Sequence, residues 1–350
     1  KKKAAAKPAA KGNVKAAETP EGKKSAWLTY SPTEKKELEK LAKGYRAFLT
    51  ACKTERESVT ETIRQAEAAG YVELSRATRR GRKLRPGDKV YTVGMKKTIA
   101  LFHIGSASLE QGLSILGAHI DSCRLDLKQN PLYEDGGLAF FDTHYYGGIK
   151  KYQWVALPLA LHGVVVKKDG RVVEVKLGEG EDDPVFCVTD LLPHLAQEQM
   201  EKKAAKVVEG ENLDVLVGSL PLAKKEKDAV KFGVLALLKE QYGISEDDFL
   251  SAELSLVPAG RAREMGFDRS LILGYGQDDR VCAYTSLAAM LEVNAVKRSA
   301  CCLLVDKEEI GSVGATGMQS RFFENSLAEL MAAAGVSGEM ALRRALAGSK

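Results

Sequence analysis

The sequence contains no CxxC pair, and of its six cysteines only Cys301 and Cys302 stand together. That excludes a disulfide framework and a thiolate zinc site, and leaves buried thiols in a reducing compartment. No apolar segment of roughly 7–15 residues follows the basic start, and no run of about 18 apolar residues occurs later. A secretory signal and a membrane span are therefore not expected, and the location predicted is the cytoplasm. There is no internal repeat and no glycine-rich GxxxxGK[ST] phosphate loop, so nucleotide-driven chemistry has no support.

A strong charge of one sign is lacking as well. The formal net charge of +5 is concentrated at the start, where the first 25 residues hold eight lysines against two glutamates. The rest of the chain is close to neutral, and neither a nucleic acid nor a membrane is expected as a partner. The opening stretch, residues 1–26, is Lys/Ala-rich with two prolines and no apolar period. Such a segment cannot repay its ordering entropy and is predicted to be a disordered tail.

With 45% hydrophobic residues in 350, the remainder can bury a large core. Residues 31–69 read as two helices broken near Lys53-Thr54, with Ser31 before Pro32 as the start signal and Gly70 as the stop. KVYTVGMKKTIALFHIG supplies short β-like runs, and LSILGAHID reads as a buried strand. Open α/β sheets place their sites at the carboxyl end of such strands. From Lys128 to Arg269 the pattern becomes strand-like, with KKDGR as a hairpin turn and a helical segment from about Ala223 to Tyr242. RSLILGYGQDDRVCAYTSLAAMLEV then reads as strand, turn and helix, and SACCLLVDKEEIGSVGATGMQSRFFENSLAELMAAAG repeats that order. The expected fold is an α/β domain, residues 27–127 and 270–350, interrupted by a β-rich insertion over 128–269.

Three apolar β-runs deliver acidic or imidazole side chains where the strand ends. In His119-Ile120-Asp121 the period-two alternation puts both polar groups on one face, so the carboxylate can brace the imidazole while the other ring nitrogen binds metal. Asp278 and Asp279 follow LILGYGQ, and either cap the next helix or, in Asp278, supply a carboxylate that bridges two ions. Glu308 and Glu309 follow CCLLVDK, and adjacent carboxylates at the end of a buried strand are costly without a cation. One would ligate metal and the other would act as a base toward water.

The words GAHIDS, DTHYYGG with a following tryptophan, LLPHLAQEQ, QDDRV and EEIGS occur in this order over about 200 residues. Together they resemble the dinuclear zinc exopeptidases, and within them the aspartyl aminopeptidase family, especially its bacterial branch. The resemblance runs from about Trp27 to the end. It implies a zinc-exopeptidase-like α/β/α catalytic domain with an inserted β-rich dimerisation domain, and dimers that assemble into a dodecamer. It implies release of N-terminal residues from peptide substrates by a zinc-activated water, with two zinc ions per complete site and cobalt or manganese as alternatives. It makes His119 a ligand of one zinc, Asp121 its orienting carboxylate, Asp278 the bridge, Glu308 the general acid/base and Glu309 a ligand of the second zinc.

The family carries two further ligands, an aspartate and a histidine, beyond the EEIGS word. Here no His follows His194 and no Asp follows Asp306. The expectation is a C-terminally truncated chain, with a non-catalytic assembly subunit or inactive fragment as the alternative function. His144 and His194 fall in the insertion, where the family's loops lie at subunit contacts, and a structural role is expected of them. His103 and His162, inside apolar runs, are expected to be hydrogen-bonded core residues.

Overall fold

The computed structural model describes residues 25–222 and 227–350. The tail expected over residues 1–26 falls outside them as far as Lys24. The described residues divide into two units, the first ending at Gly44 and the second beginning at Tyr45. In the first, a 3-10 turn (Ala26–Leu28) precedes helix α1 (Pro32–Ala51), which carries on into the second unit. The Ser31 amide donates to Glu34 Oε2 at 2.7 Å and closes the first turn of α1.

Helix α2 (Glu55–Ala68) begins with a reciprocal cap. The Glu57 amide donates to Thr54 Oγ1 at 3.3 Å, and the Thr54 amide donates to Glu57 Oε2 at 3.0 Å. This cap is the physical cause of the break near Lys53-Thr54.

After α2 come β1 (Val72–Glu73), the one-turn α3 (Leu74–Ala77), β2 (Lys89–Gly94), β3 (Thr98–His103) and β4 (Ser114–His119). The next stretch builds β5 (Arg124–Asp135), β6 (Leu138–Tyr146), β7 (Leu159–Val166), β8 (Val172–Leu177), the one-turn α4 (Gln197–Met200), β9 (Val215–Gly218), α5 (Ala229–Tyr242) and β10 (Ala252–Pro258). A short hairpin, β11 (Arg263–Met265) with β12 (Leu271–Leu273), leads to α6 (Gln277–Glu292), β13 (Ala300–Val305), α7 (Phe322–Ala333) and α8 (Glu339–Gly348).

Five strands form one sheet in the order β1-β2-β3-β13-β4. Alternation along β13 explains its layers. Cys302 and Leu304 pack with α1, α2 and α6 through Phe48, Val59 and Leu287, whereas Cys301, Leu303 and Val305 pack with α7 and α8 through Leu327, Leu330 and Ala345. The result is an α/β/α stack. A second sheet, antiparallel throughout, has the order β8-β7-β10-β5-β6-β9 and its own core around Leu125, Phe141, Leu161 and Leu256.

One expectation needs correction. LSILGAHID does not form a buried strand, because β4 stands at the end of its sheet with Leu116 43% exposed, and β3 and β13 hold the buried positions. The strand expected in RSLIL is present as β12 and pairs with β11, a partner only a few residues away that costs little loop-closure entropy.

His162 of β7 is fully buried, and Glu57 Oε1 lies 2.9 Å from its Nδ1 while Glu179 Oε1 lies 3.2 Å from its Nε2. Lys53 adds a cation 3.4 Å from Glu179, and Lys176 one 3.9 Å from Glu57. Burial disfavours the imidazolium, yet the two carboxylates outweigh it and hold the His162 pKa above its ordinary 6.5. The folded state therefore binds a proton that the unfolded state releases first. The stabilisation is complete below pH 6.5 and is lost as pH rises through the folded value. Urea unfolding across pH 5–9 is expected to show a decline in stability above about pH 6.5 that His162→Gln flattens. Parallel pH curves for the two proteins would refute it.

Candidate metal centre

Parallel pairing of β4 with β13 sets His119 opposite Val305, so both strands end side by side. The chain after Val305 then delivers Asp306 and the 3-10 turn Glu308–Ile310 beside His119 and Asp121. Asp121 is fully buried. Its Oδ1 lies 3.2 Å from His119 Nδ1 and accepts the Glu308 amide at 3.2 Å. Its Oδ2 accepts the Glu309 amide at 3.2 Å and the Tyr146 hydroxyl at 2.8 Å.

The QDDRV word arrives at the start of α6. Gly276 has φ +77°, and a Cβ there would stand 1.8 Å from Nη1 of the buried Arg280, so only glycine fits. Asp278 and Asp279 depart from helical φ/ψ, and no side chain caps the first amides of α6. Helix capping by this pair is therefore not what the fold uses. Ser122 Oγ donates to the Asp278 carbonyl at 3.0 Å and holds that turn against the end of β4. Asp279 instead interacts with the Cys282 thiol.

His119, Asp278 and Glu308 are brought together. His119 Nε2 lies 3.2 Å from Asp278 Oδ1 and 3.7 Å from Glu308 Oε2. Burial disfavours the His119 imidazolium, but the hydrogen bond and charge of Asp121, with Glu308 beyond, prevail and raise its pKa to about 9. Burial would raise the Asp121 carboxyl, and its hydrogen bonds to His119 and Tyr146 hold it below its usual range instead. Glu309 makes no ion pair with His119, and its carboxylate interacts with the Cys123 thiol, whose pKa burial and this neighbour push up to about 12. Asp278 and Glu309 still share one cavity of about 420 Å³, walled by Cys123, Ile149, Trp154 and Tyr275. A larger cavity of about 710 Å³ between β2 and α7 touches none of these residues.

The donor set suits zinc in part. Two atoms on one tetrahedral zinc, each at about 2.0–2.2 Å, stand roughly 3.4 Å apart, and His119 Nε2 with Asp278 Oδ1 comes close to that. Among the described residues no three His, Cys, Asp or Glu side chains already form a complete cage.

The other histidines divide. His162 has both ring nitrogens paired, as expected of a core residue. His103 is buried, and among the described residues its Nδ1 has no hydrogen-bond partner, which corrects the expectation of a satisfied core histidine. Burial against the neighbouring Lys89 keeps it neutral, its pKa held below the ordinary value. His144 stacks on Tyr145 at 5.5 Å between centroids and His194 is exposed, and neither reaches the centre in this chain.

Sequence reasoning did not single out Tyr146, Arg124 or Ser122. A signal for Tyr146 existed in DTHYYGG, where it ends a strand immediately before two glycines. Only the antiparallel register of β5 and β6 sets it against Arg124.

A family model described as aminopeptidase I zinc metalloprotease (M18) matches residues 48–349. The probable M18 family aminopeptidase 1 of Clostridium acetobutylicum is 56% identical over 93% of this chain and 70% of its own length. That of Thermotoga maritima is 47% identical over 85% of this chain and 64% of its own length. The crystal structure of the M18 aminopeptidase from Thermotoga maritima superposes with a TM-score of 0.87 at 44% identity, covering 93% of this chain and 70% of that one. The yeast mApe1 dodecamer shares the fold, with a TM-score of 0.70 at 18% identity over 89% of this chain and 70% of that one. In the five-stranded sheet, in the words at its strand ends and in the extent of the match, this chain belongs to the M18 family, the aminopeptidase I zinc metalloproteases.

Proposed function

We propose that this chain removes N-terminal residues from peptides at a two-zinc site, with His119, Asp278 and Glu309 as ligands, Asp121 as the orienting carboxylate and Glu308 as general acid/base. The observation that carries the reading is the 3.2 Å approach of His119 Nε2 and Asp278 Oδ1 beside the Glu308 carboxylate. Zinc, when bound there, supplies Lewis acidity that polarises a scissile carbonyl and lowers the pKa of water.

The chain's own residues supply the rest. With a metal in place of the second imidazolium proton, Asp121 would hold the remaining proton on Nδ1 and leave the Nε2 lone pair for the ion. Glu308 is exposed, with Oε2 at the mouth of the site, and takes a proton on that oxygen before returning it to the departing amine. The cavity bounded by Ile149, Trp154 and Tyr275 accepts the N-terminal residue.

The domain division belongs to the same proposal. Residues 27–127 and 270–350 build the catalytic domain, and 128–269 form an inserted dimerisation domain whose contribution is the six-stranded sheet. Homo-oligomers, dimers building toward a dodecamer, are proposed by analogy with the fold shared with the yeast protein. The cytoplasm is the proposed location, and among the described residues no helix is long and apolar enough to cross a membrane.

A second reading, a non-catalytic assembly subunit, is favoured by the turn of Glu309 toward Cys123 and by the lack of a complete cage among the described residues. Metal content per purified chain separates the two, with hydrolysis of an aminoacyl substrate panel measured after zinc or cobalt addition. Close to two metals with residue release is expected. Little metal and no turnover would overturn the enzymatic reading in favour of the assembly subunit.

A further inference from the structure

We propose that Tyr146 is a positioning residue for this centre, acting through Asp121. The inference rests on the metal-site reading above, and one of its measurements does not need metal. Tyr146 ends β6 in the six-stranded sheet, and its side chain is buried. Its hydroxyl makes the shortest of the contacts to the Asp121 carboxylate, 2.8 Å against 3.2 Å for His119 Nδ1 and for the amides of Glu308 and Glu309.

The geometry explains why that one contact matters. His119 and the two glutamate amides reach Asp121 from the ends of β4 and β13, which belong to the same sheet. Tyr146 reaches it from the other sheet, so the carboxylate is clamped between two separately packed bodies of structure. A buried carboxylate with a donor missing turns about χ2 toward those that remain, and that movement carries the His119 ring and the Glu308–Glu309 turn with it.

The tyrosine ring is itself fixed. Tyr146 and Arg124 are directly paired across β5 and β6, and the Arg124 guanidinium carbon lies 3.9 Å from the ring centroid. Arg124 is held in turn by Asp126 at 2.7 Å and by Glu55 at 3.3 Å. Burial and the Asp121 charge push the Tyr146 pKa up, so the hydroxyl remains a donor.

Tyr146→Phe keeps the ring and its contact with Arg124 and removes the hydroxyl alone. Amide hydrogen exchange is expected to accelerate about tenfold in peptides covering residues 306–312, the size of one ordinary hydrogen bond, while 299–305 exchanges at the wild-type rate. In protein that takes up zinc, release of zinc to a chelator is expected to speed by about tenfold, and kcat to fall by a similar factor with KM unchanged. Unchanged exchange over 306–312 would overturn the proposal, as would acceleration spread equally over both segments, which marks general loosening. In protein that does take up zinc, wild-type zinc release and kcat would overturn it too. Failure of the wild type to take up zinc defeats the metal-site reading alone, and the exchange measurement then decides the role of Tyr146.

Discussion

Glu308→Gln is expected to retain metal and lower peptide hydrolysis by about three orders of magnitude, within the range for loss of a general acid/base. Glutamine preserves the size of the side chain and the Glu308 backbone amide that donates to Asp121 Oδ1 at 3.2 Å, so the turn stays in place. What is lost is an oxygen that can take and return a proton. Oε2 stands 3.7 Å from His119 Nε2, close enough to act on the same bound substrate. Metal content and kcat measured on one preparation check the assignment. Wild-type turnover in the variant would remove Glu308 from the chemistry, and loss of metal together with activity would make it a ligand.

The largest expected effect on stability is at Arg124. Its guanidinium lies 3.3 Å from Glu55 Oε2, and both residues are buried. Burial by itself would raise the Glu55 carboxyl, but Arg124 and Lys97 hold it at about 2. Asp306, whose own carboxyl is raised by burial and then by the Glu55 charge, adds repulsion behind the site. Arg124→Leu leaves Glu55 with Lys97 at 3.3 Å as its remaining partner and is expected to destabilise the fold by about 3–5 kcal/mol. Much of that should return in the double variant Glu55→Gln/Arg124→Leu, because the uncompensated buried charge is gone. Urea midpoints of the three proteins provide the check. A loss below about 1 kcal/mol in the single variant would mean that water or Lys97 already satisfies Glu55.

Legibility in the sequence followed the range of the interactions. The break between α1 and α2 was readable because a capping box is local, spanning Thr54 to Glu57. The hairpin of β7 and β8 was readable from KKDGR for the same reason, and the Lys167 amide bonds to the Arg171 carbonyl at 2.8 Å. The burial of β4 was misjudged because apolar content does not tell a strand inside a sheet from one at its end. That depends on β13, nearly 200 residues away in the chain, inserting between β3 and β4.

The site divides in the same way. His119, Asp121, Asp278, Glu308 and Glu309 could be named from the sequence, since each follows an apolar run; the cost of burial applies to His119 and Asp121, whereas Asp278 and Glu308 are exposed. Their convergence could not be read, because it arises from the parallel register that sets His119 opposite Val305 and from Gly276 folding over Arg280. Neither could the turn of Glu309 toward Cys123, or the tie from Tyr146 to Asp121, which joins two sheets.

By itself, then, the sequence determined which side chains carry charge and where several elements start or stop, the break between α1 and α2 and the β7–β8 turn among them, because propensity, capping and alternation act within a few residues. Which of those side chains meet was decided only by the tertiary structure, because hydrogen bonds and ion pairs act over about 3 Å and depend on strand order and register set by distant parts of the chain.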